Sequence, residues 1–132
     1  MSIGMGKALD VYSLTLQRQK EQELLYVGDI YRKAIHEYYL EGPGGQRKYP
    51  ESLNDLLLDK RFVTVRRHLR RLYPDPLTGK PFRLLMAPEG GIWGVASTAK
   101  GRPIKVAGFA EEYVGFESAV SYQDWQFMSA GR

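Results

Sequence analysis

The residues of this chain that are best placed to do chemistry lie in one basic run, KRFVTVRRHLRR, at positions 60–71. This run holds six of the 19 Lys and Arg residues and no acid, so the other thirteen cations are outnumbered by 15 Asp and Glu. A concentrated positive charge attracts anions, which indicates nucleic-acid or other polyanion binding, a protein-partner surface, or a solvated face. The local structure of the run decides among these.

A helix over residues 62–73 would divide the run into two faces. Its apolar arc would hold Phe62, Val65, Leu69 and Leu72, and its cationic arc would hold Arg66, Arg67, Arg70 and Arg71. We therefore predict a short amphipathic helix whose arginines are solvated or form ion pairs. A partner surface and a polyanion-binding module stay open as alternatives, although no helix-turn-helix and no aromatic RNA-binding signature accompanies the arginines.

The segment PDPLTGKP, at positions 74–81, has the GK pair of a phosphate loop but not its flanks. That motif needs a glycine five residues before GK and a hydroxyl directly after it, whereas Pro74 and Pro81 occupy these positions. The composition favours a turn instead, in which Asp75 accepts a hydrogen bond from the amide two residues on and Gly79 adopts a positive φ. We predict a structural role for this segment.

Other catalytic and metal-binding patterns are weak. His36 and His68 have no HxxxH-type partner, the chain has no cysteine, and no GxSxG motif accompanies its serines. Glu111 and Glu112 could help to bind calcium in a loop, but the alternating oxygen ligands and the turning glycine of such loops are missing. We expect no catalytic residue, no cofactor and no metal site, with calcium kept as the alternative to a solvated loop.

Hydrophobic periodicity predicts the elements that position these residues. From about Ala8 to Tyr39 apolar residues recur every three or four positions, and the helix should end near Leu40 because EGPGG cannot continue it. Some thirty helical residues reach about 45 Å, which is longer than a domain of this size is wide. Part of the helix should therefore project from the domain. A second, short helix is expected in YPESLNDLLLDKRF, begun by Pro50 or capped by Ser52.

Short strands are expected in FRLLMA, GIWGVAS and PIKVAGF, with PEGG as a hairpin turn. The tail SYQDWQF alternates and should place Trp125 and Phe127 on one side. The expected fold class is α+β, a long N-terminal helix packed on a small, about three-stranded antiparallel sheet. We expect an appended leader at 1–7 and one domain at 8–132, with the helix stem at 8–40, short helices and loops at 41–81, and the sheet with a C-terminal loop at 82–132.

Six segments taken in order resemble the pseudopilins of type II secretion systems, within the type IV pilin-like superfamily: QRQKEQELLYVGDIYRKAIHEYY, RKYPESLNDLLLDKR, RRHLRRLYPDPLTG, GGIWGVAS, PIKVAGF and YQDWQF. The resemblance covers residues 17–127. Within the family, the chain looks most similar to an atypical branch that is related to the major pseudopilin. Its motif residues are Tyr49, Pro50, Asp75, Pro76, Thr78, Gly79 and Trp125.

The resemblance implies a pilin-like fold and a structural role. Such proteins are anchored in the bacterial inner membrane by an apolar N-terminal helix half, processed by a prepilin peptidase and methylated at the new N-terminus. They assemble into a periplasmic filament that a cytoplasmic ATPase drives, so that exoproteins pass through an outer-membrane channel. The implied partners are copies of this chain, other pseudopilins and the inner-membrane secretion machinery, without specific nucleic acid.

Two departures from the family stand in the sequence. The apolar first half of the helix is missing, and the Asp-rich calcium loop of major pseudopilins has no counterpart in AGFAEEYVGFESAVSYQDW. We expect about 20 apolar residues to precede Leu9 in the natural protein, which would make this chain its periplasmic domain. We also expect self-association through Leu9, Tyr12 and Leu16, which continue the apolar spacing beyond the reach of the domain.

Overall fold

The computed structural model describes residues 2–129, and side chains from residue 13 onward. Helix α1 spans Ser2–Leu40, so it begins before the predicted start and ends at the predicted residue. The other regular elements are helix α2 (Asn54–Leu57), strands β1 (Arg83–Met86), β2 (Ile92–Ala96) and β3 (Gln126–Met128), and 3₁₀ helices at Pro43–Gly45, Glu111–Ser118 and Tyr122–Asp124. The predicted α+β class, with a long N-terminal helix and a three-stranded antiparallel sheet, is confirmed. No helix in this part of the chain is long and apolar enough to cross a membrane.

The sheet has the order β1-β2-β3. Strands β1 and β2 form the predicted hairpin, closed by a hydrogen bond of 2.9 Å from the Ala87 amide to the Gly91 carbonyl. Gly90 and Gly91 have φ values of 102° and 84°, a conformation that side chains with a Cβ rarely adopt. The glycines of PEGG are therefore required by the turn.

The third strand does not come from PIKVAGF, and that prediction is wrong. Residues 103–109 are irregular, and β3 comes from the alternating tail instead. The buried carboxylate of Glu21 on α1 accepts hydrogen bonds from the amides of Ile104 (2.6 Å) and Lys105 (3.1 Å). Those amides donate to a side chain, so they are not available to a neighbouring strand.

Helix α1 packs on the sheet through a very close contact between Gly28 and Phe127. A Cβ at Gly28 would lie only 2.5 Å from three carbons of the Phe127 ring. The helix face around this contact is buried, and Phe127 and Trp125 are themselves 0% exposed. The alternation of the tail thus places both rings inside, as predicted.

The predicted turn before β1 is present. The Asp75 carboxylate is fully buried and accepts hydrogen bonds from the Leu77 amide (2.9 Å), the Ser97 hydroxyl (2.6 Å) and the Thr98 amide (3.3 Å). Gly79 has a φ of 72°, and the Thr78 hydroxyl accepts from the Lys80 amide at 3.1 Å. Asp75, with half-buried Pro76 beside it, therefore joins the turn to the chain that leaves β2.

The second helix is shorter than its pattern suggested, and its N-terminus is built differently. The Asp55 carboxylate accepts from the amides of Glu51 (3.2 Å) and Ser52 (3.4 Å), whereas the Ser52 side chain makes no cap. Pro50 lies before the helix, and its carbonyl accepts from the Ile92 amide at 2.7 Å. Tyr49 stacks on Tyr39, with ring centroids 4.4 Å apart. The Tyr49–Pro50 motif therefore joins the end of α1 to β2.

Replacing Gly28 with Ala should destabilise the protein, although Ala is the better helix former by about 1 kcal/mol. The added methyl group would meet the Phe127 ring at 2.5 Å, and overpacking of this kind costs about 1–3 kcal/mol. We expect a net loss of about 1 kcal/mol in the free energy of unfolding, measured by chemical denaturation.

Gly115→Ala is the matched control, because nothing lies within 4 Å of a Cβ at that position. Its stability should stay within about 0.5 kcal/mol of the parent. The double variant Gly28→Ala/Phe127→Leu should lose less free energy of unfolding than the sum of the losses of the two single variants, because the smaller side chain relieves the clash. A Gly28→Ala variant more stable than the parent would contradict this account of the contact.

Replacing Asp75 with Ala should lower the free energy of unfolding by about 1–2 kcal/mol, because a buried hydroxyl and two amides lose their acceptor. Asp124→Ala is the comparison, since Asp124 also accepts from two amides, those of Val120 (2.9 Å) and Ser121 (3.2 Å), but is exposed to water. Its loss should be smaller. Denaturant midpoints measure both, and an unchanged Asp75→Ala midpoint would contradict the structural role of the turn.

Candidate assembly surface

Near the start of α1, the first side chains that the structure describes are not buried by the rest of the fold. The side chains of residues 13–16 are all exposed, including Leu14 (51%) and Leu16 (39%). Gln17 joins the helix to the C-terminal half of the chain, because its amide nitrogen donates to the Tyr122 hydroxyl at 2.7 Å. The helical residues before Gln17 extend about 22 Å. We call residues 2–16 the stem.

Of the three residues predicted to mediate self-association, the structure places one. Leu16 is exposed at the base of the stem, whereas Leu9 and Tyr12 lie outside the described side chains. Leu14, which is also exposed, was not included in the predicted set. It is two residues from Leu16, so the two side chains lie on nearly opposite sides of the helix, and only Leu16 shares a face with positions 9 and 12.

Glu21 anchors the C-terminal half of the chain just above the stem. Besides the amides of Ile104 and Lys105, its carboxylate accepts a short hydrogen bond from the Tyr122 hydroxyl. Burial, together with this hydrogen bond to Glu21, raises the pKa of Tyr122. Glu21 is 2% exposed. A buried acid in a helix needs such donors. Its neighbours in the sequence, Lys20 and Gln22, are polar, and the available signal was its position three residues before Leu24 on the buried face of α1.

Asp29 holds the 3₁₀ helix Glu111–Ser118 against one side of α1. Its carboxylate accepts from the Tyr113 hydroxyl (2.5 Å) and pairs with Lys33 (2.8 Å) and Arg32 (3.1 Å). Burial alone would raise the pKa of Asp29, but hydrogen bonds from Lys33, Tyr113 and Arg32 outweigh burial and hold the pKa below its usual value of 3.8. Asp29 therefore pairs with two cations of its own helix and with a phenol 84 residues away, which sequence spacing does not indicate.

Aromatic rings complete the attachment of this 3₁₀ helix. Phe116 stacks on Trp125, with centroids 5.3 Å apart and planes 9° apart, and Tyr113 packs edge-on against Phe127. Trp125, predicted as a motif residue, therefore lies at the centre of the packing. The 3₁₀ helix buries its rings and turns its charges outward, so that an acidic flank is exposed, comprising Glu111, Glu112, Val114, Glu117 and Val120.

The basic run is not a helix, and the predicted division into an apolar and an arginine face is wrong. The Asp59 amide donates to the Arg66 carbonyl at 2.8 Å, which closes an irregular loop over residues 59–66. Val65 is 73% exposed, whereas the proposed apolar arc required it to be buried. The β-branched sequence Val-Thr-Val at 63–65 disfavours a helix, and fixed carboxylates attract the cations in different directions.

A buried ion-pair network fastens this loop to the end of α1. Asp59 is 1% exposed and receives two hydrogen bonds from the Arg61 guanidinium, at 2.8 and 2.7 Å. Arg61 also donates to the Tyr38 carbonyl at 2.8 Å and lies 3.6 Å from the centre of the Tyr38 ring. Its positive charge therefore satisfies a C-terminal carbonyl of the helix, where a cation is favourable.

His68 lies between two carboxylates in the same network. Its Nδ1 is 2.6 Å from Glu37 Oε1, and its Nε2 is 2.9 Å from Asp59 Oδ2. Burial alone would raise the pKa of Asp59, but hydrogen bonds from Arg61 and His68 overcome burial and lower the pKa to about 2. The sequence analysis gave His68 no role, because both carboxylates belong to other segments.

The four arginines of the predicted surface have different environments. Arg66 pairs with Glu41 and lies over the Phe62 ring, and Arg71 lies over the Tyr73 ring at 4.7 Å. Arg67 and Arg70 are exposed, and neither forms an ion pair with any residue that the structure describes. Together with exposed Lys60, Val63 and Val65, they form what we call the basic flank.

One group of side chains has the spacing of metal ligands. Atoms of Glu37, Glu41 and His68 lie within 4.8 Å of one another. Arg66, however, pairs with Glu41, and His68 lies within hydrogen-bonding distance of Glu37 and Asp59. Side chains of the protein therefore already bond to these carboxylates, and we interpret the group as part of the network around Asp59.

An open groove of about 380 Å³ lies between α1 and residues 105–113. Its lining includes Asp29 and Lys33, which pair with each other, and the half-buried Leu25. An enzyme site needs polar groups that converge on a substrate. The polar groups of this groove serve mainly to hold the 3₁₀ helix in place, so the groove does not indicate a catalytic site.

Asp59 should make stability depend on pH in the acid range. Its pKa is about 2 in the folded chain against an ordinary 3.8, which corresponds to about 2 kcal/mol. Because the folded pKa is the lower one, this stability is present above about pH 4 and is lost as the pH falls towards 2. In urea denaturation, Asp59→Asn should be less stable than the parent at pH 7, and the difference should narrow below pH 4. A difference in free energy of unfolding that stays constant between pH 7 and pH 2 would contradict the ion-pair assignment.

Comparison with protein-family models, with curated proteins and with solved structures finds no match for this chain. The interpretation of its surfaces therefore depends on its own residues and on the sequence resemblance to pseudopilins. Three surfaces stand out from the packed core: the stem, the basic flank and the acidic flank.

Proposed function

We propose that this chain is the periplasmic domain of a structural subunit of a type II secretion pseudopilus, anchored in the bacterial inner membrane in its natural form. It acts by self-assembly and not by catalysis. The observation that carries this proposal is the stem. It continues the helix for about 22 Å before Gln17, which bonds to Tyr122, and Leu14 and Leu16 at its base are exposed to water.

The architecture supports the same proposal. A long helix packs on a small antiparallel sheet, with irregular segments on both sides of the helix. This is the arrangement that the resemblance to pilin-like proteins implies. In such an assembly the stems lie together inside the filament, and the domains form its outer surface.

The motif residues have structural positions that suit a scaffold. Asp75 and Trp125 are 0% exposed, and Tyr49 is 6% exposed. Their hydrogen bonds and ring contacts connect the turn, the sheet and the helix to one another. Residues with such contacts stabilise the conformation of the domain, and a filament subunit needs a fixed conformation.

The alternative of a polyanion-binding module has less support. Two of the four arginines are held over aromatic rings, and Arg66 is also paired with Glu41. The exposed cations that are left, on the basic flank, can bind polyanions only weakly and without sequence preference, with a dissociation constant of about 10⁻⁴ to 10⁻⁶ M near physiological salt.

Replacing three stem residues should abolish assembly without unfolding the domain. The variant Leu9→Gln/Tyr12→Ser/Leu16→Gln removes the apolar surface that copies of the chain are proposed to share, and Leu16, the one of the three whose side chain the structure describes, is exposed. We expect a melting temperature within about 2 °C of the parent. In cells, filament assembly and exoprotein secretion by the natural, membrane-anchored protein should be lost.

Tyr26→Gln is the matched control, since Tyr26 is an exposed apolar residue of α1 (69%) outside the stem. It should leave both stability and assembly intact. If the stem variant unfolds the isolated domain, the stem belongs to the core. If it assembles normally, the proposed mode of self-association is wrong.

A further inference from the structure

We propose that copies of this chain also bind side by side, with the basic flank of one copy against the acidic flank of the next. This inference rests on the proposed function, because it names a second contact between subunits of the same filament. It differs from stem packing in that it uses only the folded domain. The two flanks carry opposite charge, and both expose valines between the charges.

The basic flank is a loop held in a fixed shape. The bond between Asp59 and Arg66 closes it, and Arg61 and His68 tie Asp59 to α1. Val63 at its tip is fully exposed. A closed loop that presents Val63 and Val65 to water loses no further chain entropy when it binds, and it gains from burying the two side chains.

The acidic flank has the complementary composition. Glu111, Glu112 and Glu117 are exposed and form no ion pair with any residue that the structure describes. Val114 is 50% exposed and Val120 is 70% exposed. The sequence has no Lys or Arg from Val106 to Ser129, so nothing in this segment neutralises the carboxylates.

The two flanks lie on different sides of α1. Glu37 and Tyr38 contact the basic loop through His68 and Arg61, and Asp29 contacts the acidic 3₁₀ helix through Tyr113. Glu37 and Tyr38 are eight and nine residues after Asp29, so they are rotated from it by about 80° and 180° around the helix axis. The flanks of one copy therefore do not cover each other, and each is available to a neighbour.

A contact between two different surfaces of identical subunits does not close by two-fold symmetry, so it can propagate from copy to copy. The levels of Asp29 and Tyr38 differ by about 13 Å along the helix axis. Parallel copies joined through the flanks would therefore be staggered by about this distance. A stagger of parallel stems is the arrangement that a filament requires.

A second copy fits the basic flank better than a polyanion does. A nucleic acid would satisfy Lys60, Arg67 and Arg70 but would leave the valines of the loop tip in water. The acidic flank offers carboxylates that can pair with these cations. It also offers Val114 and Val120, which can pack against Val63 and Val65. Charge complementarity of this kind sets the partner and the register, and burial of the valines adds affinity.

Exchange of charge between the flanks tests the proposal. One variant, Arg67→Glu/Arg70→Glu, is acidic on both flanks, and a second, Glu112→Lys/Glu117→Lys, is basic on both. In analytical ultracentrifugation at low salt, each variant alone should self-associate about ten-fold more weakly than the parent, since attraction becomes repulsion at two exposed positions. An equimolar mixture of the two should associate again, because each supplies the charge that the other lacks.

Lys80→Glu/Lys100→Glu is the matched control, with the same change in net charge at exposed positions outside both flanks. It should associate like the parent. The proposal is overturned if the mixture does not associate, if the control loses association as well, or if the parent is monomeric at about 1 mM, where a contact of even millimolar affinity is populated. Sub-micromolar binding of a duplex oligonucleotide at physiological salt, lost in Arg67→Glu/Arg70→Glu, would also overturn it in favour of polyanion binding.

A negative result of flank exchange can be distinguished from a negative result in the test of the proposed function. Flank exchange is read in the isolated chain, whereas the stem variant is read in cells. Loss of assembly by the stem variant, without an effect of flank exchange, would keep the filament role and remove the flank contact. Restored association in the mixture, with normal assembly of the stem variant, would keep the flank contact and remove the stem-based mechanism.

Discussion

The close contact between Gly28 and Phe127 sets the geometry on which the rest of the structure depends. An aromatic ring lies directly on the backbone of α1 because residue 28 has no side chain, so β3 approaches the helix more closely than a Cβ would allow. Phe127 in turn supports Tyr113 and Phe116 by edge-on contacts. The position of the acidic 3₁₀ helix, and therefore of its exposed carboxylates, depends on the absence of a side chain at residue 28 of α1.

Buried carboxylates replace regular secondary structure over much of the remaining chain. Glu21, Asp59 and Asp75 are each 2% exposed or less, and each accepts several hydrogen bonds from a segment that is neither helix nor strand. Removing a carboxylate from water is costly unless donors surround it, so each of these acids selects one conformation of the loop that supplies its donors. A three-stranded sheet and one long helix can in this way fix long irregular segments.

This division between regular elements and carboxylate-fixed loops explains what the sequence could predict. The C-terminal end of α1, the PEGG hairpin and the local bond from Leu77 to Asp75 depend on neighbouring residues, and periodicity with turn chemistry was enough to find them. PIKVAGF and the basic run have equally good local patterns, but their backbone conformations depend on distant acids. Glu21 binds amides 83 and 84 residues away, and His68 bridges two acids from different segments. Composition showed that cations were concentrated at 60–71, but it could not show which of them were already neutralised.

The same pairing determines which charges are exposed. Arg61, Arg66 and His68 are held by Asp59, Glu41 and Glu37 near the end of α1, and Lys33 and Arg32 are held by Asp29. The charges that stay unpaired in the described part of the chain include cations on one side of the helix and carboxylates on the other. Because Leu16 and both flanks lie outside the core, substitutions there change the surface and leave the packing around Phe127 intact. Stability and the proposed assembly would therefore be separable. The buried carboxylates and rings carry stability, and the exposed leucines, valines and unpaired charges are the surfaces proposed to carry assembly.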